Sequence, residues 1–411
     1  MNRNIELLAP AGDLEKLKTA IIYGADAVYF GGELFSLRAG AGNLSVDEIA
    51  YAMDFIHGHG KKGYMTINIY PHNSDIPLLR DYISKIAKLP IDAFIVSDPG
   101  VICLIQELIP GAEIHLSTQA NTTNYLTANF WVKQGVSRIV TAREMSLADI
   151  KILRNELPES AEIEAFVHGA MCISYSGRCL LSNFMTGRDA NHGACTHPCR
   201  WKYALVEQQR PGEYFPIEED NHGSYILNSR DLCMIDHIPE LVDAGVTSFK
   251  IEGRMKSMYY VATVVSAYRT AIDAYLSSPS DYKYDEKYFK ELCKASHREF
   301  THGFYFNKPT DKDQNYLTSD YTRDYSFVGL VKEPDDGRGY TIVEQRNKFS
   351  LGDTVEIFGP YTEFYEEVIT NMQDEEGNQI ESAPHPQQIL KIKFNRVPDK
   401  DFIIRKKKEM V

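Results

Sequence analysis

The chain has 411 residues, of which 43% are hydrophobic and 25% charged, an ordinary composition for a globular protein. Its net charge of -13 and pI near 5.5 argue against loose, sequence-independent attachment to nucleic acid, which requires Lys and Arg to neutralise phosphates. A nucleic-acid partner therefore has to meet a local basic patch. The candidates for such a patch, if they are not simply a solvated charged face, are Arg178, Arg188, Arg200, Lys202, Arg230, Lys250, Arg254 and Lys256.

The sequence also argues against a membrane or secreted location. No stretch approaches the roughly 18–20 uninterrupted apolar residues of a membrane span, and the first residues lack the apolar run of a signal peptide. The seven cysteines, an odd number, favour ligands or free thiols over a disulfide framework. We therefore expect a cytoplasmic protein that does not associate with membranes.

Short apolar runs alternate with amphipathic helix patterns over about the first 280 residues. The runs predict eight strands at 6–9, 27–30, 63–69, 93–97, 113–117, 138–141, 163–168 and 248–252. This alternation favours a (β/α)8 TIM-like barrel. An open doubly wound sheet is the alternative, but no Gly-x-Gly-x-x-Gly follows the first strand.

Several of the intervening helices carry clear start signals. Asp13 can cap a helix at 14–23, Ser45 with Glu48 forms a capping box for a helix to about residue 57, and Ser146 can open a helix to Leu157. Between the seventh and eighth strands lie about 80 residues, of which only 234–244 resembles the expected helix. The rest is a cysteine-rich insertion at 170–233, on the end of the barrel where active sites are assembled.

Polar residues follow most of the predicted strands. They are Arg38 and Asn43, Asn68, Asp98, Ser117-Thr118-Gln119, Arg143-Glu144 and Lys250-Ile-Glu252-Gly-Arg254. A single such residue is usually a loop cap or a surface ion pair, but their number favours a polar pocket at the barrel rim. His168 leaves a buried strand four residues before Cys172, and its alternative role is that of a core histidine.

A second domain is predicted beyond the barrel. We place the barrel at 1–280, a helical connector at 281–320 with a helix near 288–295, and a small antiparallel β-barrel at 321–411. The last domain rests on alternating apolar and polar runs at 327–331, 340–343, 352–357 and 389–394. The basic tail at 405–408 is expected to be a frayed end, with nucleic-acid contact as the alternative.

The cysteine spacing indicates a metal centre. Cys172, Cys179, Cys195 and Cys199 fall within 28 residues, and Cys233 follows after a further 33, which makes five candidates for four positions. Structural zinc sites usually use two close pairs, and only Cys195 and Cys199 form one. Wider gaps suit an iron-sulfur cluster, which is favoured over zinc and over unrelated free thiols.

These residues resemble a known family. Phe166-x-His168-Gly-Ala-Met-Cys172-x3-Ser176-Gly-Arg178-Cys179-Leu-Leu-Ser182 is similar to the signature of the collagenase-like peptidases, peptidase family U32 of unassigned catalytic type. Further matches span the chain and resemble members that hydroxylate tRNA: Leu8-Ala-Pro-Ala-Gly12, Tyr29-Phe-Gly-Gly32, Ser117-Thr-Gln119, Gln209-Arg-Pro-Gly-Glu-Tyr214, Asn228-Ser-Arg-Asp-Leu232 and Lys250-Ile-Glu-Gly-Arg254.

The resemblance implies a barrel enzyme with a 4Fe-4S cluster that hydroxylates without molecular oxygen and takes the oxygen from prephenate. The subgroup it resembles acts on tRNA, making 5-hydroxyuridine at the wobble position; relatives modify ribosomal RNA or quinone precursors, and a paired homologue is a possible partner. Prephenate is a dicarboxylate, and Arg178, Arg230 and Arg254 are candidates to bind it, because guanidinium forks bind carboxylates in a bidentate manner.

The resemblance also implies the ligand set. Cys172, Cys179, Cys195 and Cys199 match the ligands of tRNA-hydroxylating relatives, whereas Cys233 matches a ligand of a quinone-pathway relative and competes with Cys199 for the fourth position. We predict catalytic roles for His168, Lys250, Glu252 and Arg254. We predict substrate binding by Arg38, Asn68, Gln119, Arg143, Arg178 and Arg230.

Two other functions are weighed against hydroxylation. The family name suggests proteolysis, but the sequence has no Gly-x-Ser-x-Gly or His-Glu-x-x-His motif and no evident Cys/His pair. A zinc-stabilised RNA-binding module without catalysis is the third possibility, and it requires that the metal be zinc.

Overall fold

The computed structural model of the protein describes residues 5–37, 42–171, 179–201, 204–205, 215–216, 228–307, 314–315 and 321–408. In these ranges the helices are α1 (Leu14–Ile22), α2 (Val46–Gly58), α3 (Ile76–Ile86), α4 (Pro99–Leu108), α5 (Tyr125–Lys133), α6 (Leu147–Glu156), α7 (Leu181–Thr186), α8 (Ile238–Asp243), α9 (Met258–Ser277) and α10 (Lys287–Leu292).

The strands fall into three groups along the chain. The first group is β1 (Glu6–Ala11), β2 (Ala27–Gly31), β3 (Lys62–Ile67), β4 (Ala93–Val96), β5 (Ile114–Leu116), β6 (Arg138–Val140) and β7 (Glu162–Ala170). The second is β8 (Ala204–Leu205), β9 (Phe215–Pro216), β10 (Asn228–Ser229), β11 (Asp231–Cys233), β12 (Ser248–Ile251), β13 (Phe300–Thr301) and β14 (Gln314–Asn315). The third is β15 (Tyr325–Glu333), β16 (Thr341–Gln345), β17 (Phe349–Ser350), β18 (Thr354–Phe358), β19 (Tyr365–Val368), β20 (Met372–Gln373), β21 (Ser382–Ala383), β22 (Ile389–Ile392) and β23 (Ile403–Lys407).

Eight parallel strands close into a barrel. The order is β1 to β7 followed by β12, and β12 pairs in parallel with both β7 and β1, which leaves no open edge. Each predicted strand is present, with bounds that differ by a few residues. The predicted TIM-like barrel is therefore confirmed, and the open doubly wound sheet is excluded.

Local capping explains where the barrel helices begin. The Asp13 carboxylate accepts the Lys16 amide at the start of α1, and Ser45 and Glu48 form a reciprocal capping box on α2. Ser146 caps α6 in the same way. None of the described helices combines the length and apolar character that a membrane span requires.

The interval between β7 and β12 contains a strand that the sequence did not predict. β11 runs antiparallel to the upper end of β7, with Cys233 opposite His168, and β13 pairs in parallel with β11. The predicted helix at 234–244 is shorter, since only α8 at Ile238–Asp243 is helical.

A buried ion network fills the lower part of the barrel. Arg138, only 3% exposed, donates to Glu162 over 2.7 Å, to Glu6 over 2.6 Å and to Glu164 over 3.1 Å. Lys250 donates to the other oxygen of Glu164 over 2.6 Å. Burial alone would raise the pKa of Glu164, but Lys250 and Arg138 outweigh that effect and lower it to about 2. The network joins β1, β6, β7 and β12, the strands around the point of closure.

His168 lies on the outside of the barrel wall. The register shifts between Lys250 and Ile251, so that Ile251 pairs with His168, and the imidazole packs against Tyr260 and Tyr268 of α9 at ring distances of 6.0 and 5.6 Å. Burial lowers the pKa of His168 to about 3. The histidine is therefore a neutral core residue of the layer between β7 and α9.

The C-terminal segment forms a seven-stranded antiparallel sheet in the order β19-β18-β23-β15-β16-β22-β20. Its inner face buries Val328, Val343, Ile357 and Ile404. In the fully described range 321–408 the sheet ends at β19 and β20 without closing, so the predicted antiparallel domain is an open half-barrel. The domain limits drawn from the sequence stay predictions.

The basic tail is not frayed, and that prediction was wrong. β23 lies inside the sheet between β15 and β18, and Arg405 is fully buried. Its guanidinium donates to Glu356 of the sheet over 2.7 Å and to Glu291 of α10 over 2.9 Å. The arginine thus stabilises the packing of the sheet against the helical layer of the barrel domain. The pair of β-branched residues Ile403 and Ile404 before the basic run was the available sequence signal for this strand.

Replacement of Arg138 by Met should strongly destabilise the fold. The Arg138→Met variant leaves the buried Glu164 and the partly buried Glu6 with one cation fewer, and breaking a buried ion network in this way costs about 3–5 kcal/mol. Urea unfolding followed by circular dichroism measures the loss. As a matched control, Arg80→Met removes the exposed Arg80–Glu107 pair and should change the unfolding free energy little; equal losses in both variants would contradict the argument.

Removal of the His168 imidazole should make the unfolding free energy depend less on pH below about pH 6.5. The pKa of His168 is about 3 in the folded protein and about 6.5 when exposed, so the unfolded chain binds an extra proton between these values. The contribution of the neutral His168 to the unfolding free energy is complete above pH ~6.5. It is lost as the pH falls, by up to about 1.4 kcal/mol per pH unit.

The His168→Phe variant should lack this contribution. Between pH 6.5 and 5, before most carboxylates titrate, its unfolding free energy should fall by about 1–2 kcal/mol less than that of the wild type. The measurement is urea unfolding at several pH values, with the exposed His385→Phe variant as control. Parallel profiles for His168→Phe and wild type would show that His168 is not buried in the neutral form.

Candidate functional site

Arg254 is held at the upper end of the barrel by the loop that follows β2. Its guanidinium donates to the Ser36 hydroxyl and the Leu37 carbonyl, both over 2.8 Å, and to Asn43 over 2.5 Å. Asn68 in turn accepts the Leu37 amide over 3.2 Å. These acceptors are neutral, and they give a buried arginine one defined orientation.

Two glycines make room for Arg254. A Cβ on Gly31 would lie 2.2 Å from an Arg254 nitrogen, and a Cβ on Gly12 would lie 2.2 Å from the Arg254 carbonyl oxygen. Any other residue at these positions would collide with the arginine or its backbone. Gly12 and Gly31 belong to the motifs Leu8-Ala-Pro-Ala-Gly12 and Tyr29-Phe-Gly-Gly32. These motifs were the available sequence signal for the two glycines, but the sequence alone did not show their role beside Arg254.

A second charged group lies at the same end of the barrel. Arg143 donates to Glu252 over 3.1 Å and stacks over the Phe166 ring at 3.9 Å. Lys250 lies deeper, 4.5 Å from the Tyr29 ring centroid and paired with Glu164. The structure therefore brings Arg143, Glu252 and Arg254 to the barrel mouth and places Lys250 in its interior.

Three of the described cysteines share one small folded loop. Cys179 precedes α7, Cys195 follows it, and Cys199 lies in a 3-10 turn, Pro198–Arg200, that packs against α7. All three are partly buried, and the His197 amide donates to the Cys195 sulfur over 3.4 Å. Thiolates that receive such amide hydrogen bonds suit a metal or cluster site.

Side-chain hydrogen bonds close this loop on itself. Asn191 donates to the Cys179 carbonyl over 3.0 Å, and Ser182 bonds both the hydroxyl and the amide of Thr196, at 3.0 and 3.1 Å. The segments beside Cys179 and Cys195 are thereby tied together. Cys172 lies outside the described residues, as do Arg38 and Arg178.

The cysteine loop docks on the loops at the upper end of the barrel. The Tyr70 amide donates to the Asn191 carbonyl over 3.4 Å, and His192 approaches Asp75 at 3.3 Å. The Tyr70 hydroxyl also donates to the Gln119 carbonyl over 2.5 Å. Gln119 is buried, and its side-chain oxygen has no hydrogen-bond partner among the described residues.

A cavity of about 780 Å³ separates the barrel mouth from the C-terminal sheet. We call it the interdomain groove. Its wall includes Glu252 of the mouth, His197 of the cysteine loop, three cations and several aromatic rings. The cations are Lys256, Arg323 and Lys408, and the rings are Tyr259, Tyr260, Tyr321, Tyr325 and Phe327.

The groove was only partly visible in the sequence. Lys256 lies 3.9 Å from the Tyr321 ring centroid, and Lys408 meets the Asp324 carbonyl through its amide, which joins segments far apart in the chain. Lys256 belongs to the predicted basic patch, but Lys250 and Arg254 of that patch are buried. The predicted basic residues therefore do not form one surface. The interdomain groove takes the place of the predicted patch as the candidate nucleic-acid surface.

The remaining candidates lie away from the mouth. His168 and Cys233 face each other across β7 and β11, behind the barrel wall. Burial raises the pKa of Cys233 to about 12, and its sulfur lies 3.9 Å from the Tyr268 hydroxyl. Arg230 is partly exposed and pairs with Glu299 over 2.8 Å.

The chain is similar to several proteins along most of its length. It is 41% identical over 391 residues to tRNA hydroxylation protein P1 of Bacillus subtilis, a match that covers 95% of this chain and 92% of the relative. It is 38% identical over 395 residues to tRNA hydroxylation protein P of Escherichia coli, covering 86% of each. It is also 32% identical over 374 residues to a collagenase of Porphyromonas gingivalis, covering 88% of each.

Family models match both parts of the fold. The model of peptidase family U32 matches residues 12–315, and the model of the family's C-terminal domain matches residues 323–405. Together they cover the cysteine loop and all of the barrel and half-barrel except β1 and the last two residues of β23. The chain therefore belongs to peptidase family U32.

Proposed function

We propose that this chain is an enzyme that hydroxylates tRNA, converting the wobble uridine to 5-hydroxyuridine with prephenate as the oxygen source and an iron-sulfur cluster as cofactor. The observation that carries the proposal is the docking of the cysteine loop on the barrel end that also holds Arg143, Glu252 and Arg254. Barrel enzymes assemble their chemistry at this end. The names of the Bacillus subtilis and Escherichia coli relatives support tRNA as the substrate.

The donor set of the loop fits a cluster. We propose Cys172, Cys179, Cys195 and Cys199 as the ligands of a 4Fe-4S cluster, which when bound would supply redox chemistry or an open iron for substrate. Ligation requires thiolates. Cys199 is a better fourth ligand than Cys233, because Cys199 shares the loop whereas the Cys233 thiol is buried in the core with a raised pKa.

The charged residues of the mouth suit a dicarboxylate. Guanidinium groups bind carboxylates through two parallel hydrogen bonds, and Arg143 already holds one carboxylate, that of Glu252. The locked geometry of Arg254 would orient a second carboxylate at little entropic cost. We propose that these two arginines bind prephenate and that Gln119 contributes a hydrogen-bond acceptor.

The interdomain groove suits a single-stranded RNA loop. Its lysines and arginine can meet phosphates, and its tyrosines can stack on unpaired bases. Phe184 and Trp201 of the cysteine loop also expose their rings, at 86% and 45%. An anticodon loop presents its wobble base unpaired, so a protein of this shape can reach it without opening a helix.

Loss of a cluster ligand should abolish the modification. In a strain that lacks all members of this family, wild-type protein should restore 5-hydroxyuridine derivatives in tRNA and Cys199→Ala should not. Cys233→Ala, the matched control, should restore them, because that thiol lies outside the loop. Mass spectrometry of tRNA nucleosides measures the product.

The purified proteins provide a second readout. Wild type and Cys233→Ala should show broad visible absorbance after anaerobic purification, and Cys199→Ala should lose it. Colourless wild-type protein with stoichiometric zinc that is lost in Cys199→Ala would place zinc at the cysteines, exclude the hydroxylase and favour a zinc-stabilised RNA-binding module. Cleavage of a protein substrate by a variant without these cysteines would support the peptidase alternative.

Charge reversal in the groove should weaken tRNA binding. The double variant Arg323→Glu and Lys408→Glu removes two phosphate contacts, which should lower the affinity at least about tenfold and flatten its salt dependence. Fluorescence anisotropy with labelled tRNA at two salt concentrations measures both effects. Lys88→Glu, beyond the end of α3, is the control and should bind like wild type; an equal loss there would show that only net charge matters.

A further inference from the structure

Two histidines and an aspartate converge on the flank of the barrel. One ligand atom from each of Asp236, His237 and His302 lies within 4.8 Å of the other two. The carboxylate oxygen is 3.1 Å from His302 Nε2 and 3.6 Å from His237 Nε2. Two ligands of one tetrahedral zinc ion, each about 2.0–2.1 Å from the metal, are about 3.3 Å apart. The two distances are therefore those expected between ligands of the same ion.

The fold delivers these residues from two distant segments. β11 and β13 are parallel neighbours with Leu232 opposite Thr301, so their ends lie at the same edge of the sheet. Asp236 and His237 follow the end of β11, and His302 directly follows β13. The buried ion pair of Arg298 with Asp231, at 2.7 Å, holds the two strands in this register.

The neighbours of the histidines orient their rings. His237 Nδ1 lies 3.0 Å from a Glu240 oxygen, and the Phe306 ring packs against His237 at 4.4 Å and His302 at 5.6 Å. When Nδ1 donates its proton to Glu240, the neutral ring directs the Nε2 lone pair at the Asp236 carboxylate. A lone pair of His237 Nε2 and a lone pair of the Asp236 carboxylate then face each other. A cation between them would stabilise this arrangement. A carboxylate behind a ligating histidine is the usual outer partner of zinc.

The three side chains are also accessible to an ion. Their exposed fractions are 33% for Asp236, 25% for His237 and 44% for His302. We propose that Asp236, His237 and His302 bind one divalent ion of the zinc type, with Glu240 as outer carboxylate. The ion would link the segment after β13 to the turn between β11 and α8. This site lies on the flank of the barrel, and neither the proposed chemistry nor tRNA binding uses it.

Zinc stoichiometry of the full-length chain tests the proposal. Competition with a chromogenic chelator should show one zinc per chain fewer in His302→Ala and in His237→Ala than in wild type. The cysteines are unchanged in all these proteins, so any zinc that they hold is the same in each and the difference reports the flank site. His57→Ala removes an exposed histidine that meets a single aspartate, Asp92 at 3.1 Å, and should keep the wild-type stoichiometry.

Two further measurements separate metal binding from a simple His–Asp ion pair. Glu240→Gln should keep the stoichiometry but weaken zinc binding about 10–100-fold. Zinc should raise the Tm of wild type more than that of His302→Ala. Equal zinc stoichiometry in wild type and His302→Ala would overturn the proposal. It would also be overturned if cobalt-loaded His302→Ala lost its cobalt-thiolate absorption along with the ion, because the lost ion would then belong to the cysteines.

Discussion

The buried ion network around Arg138 is the constraint on which the barrel depends. Charged groups inside a protein are tolerated only when each is paired, and here Arg138, Lys250, Glu6 and Glu164 satisfy one another across the closing strands. A hydrophobic core of the same volume could be as stable. The network instead requires that all four strands be present and in register, because each one supplies a partner.

The same network determines what is left for chemistry. Lys250 forms an ion pair with Glu164 in the barrel interior, although the sequence suggested a position at the rim. The charged groups at the mouth are therefore Arg143, Glu252 and Arg254. Leu8, Tyr29, Tyr64 and Ile95 belong to a compact buried cluster, from which the Tyr64 hydroxyl donates to Glu6 of the network. The barrel therefore carries the accessible charges of Arg143 and Glu252, with Arg254, at the end on which the cysteine loop docks.

The fold was largely predictable because its signals are local. Apolar runs and helix caps such as Asp13 and Ser45 lie within a few residues of the boundaries they set. The errors arose where the outcome depends on register. A single shift between Lys250 and Ile251 turns His168 toward α9, and no local pattern shows such a shift.

The candidate site was predictable only in part, for the same reason. The cysteines were found because they are close in sequence, whereas Gly31, Tyr321 and Lys408 acquire their positions through contacts between distant segments. Asp236 and His302 escaped notice because β11 and β13 are brought together by the fold alone. Spacing along the chain reveals a site only when one loop supplies most of it.

The charge distribution resolves an apparent conflict between an acidic protein and an RNA substrate. The chain carries a net charge of -13, yet Lys256, Arg323 and Lys408 gather at the interdomain groove. Such an arrangement favours one approach direction, because the encounter is attractive only where the cations lie. The C-terminal sheet contributes two of these three cations, and Arg405 fixes that sheet to α10. Among the described residues, the half-barrel thus adds two cations to the groove that we propose for RNA.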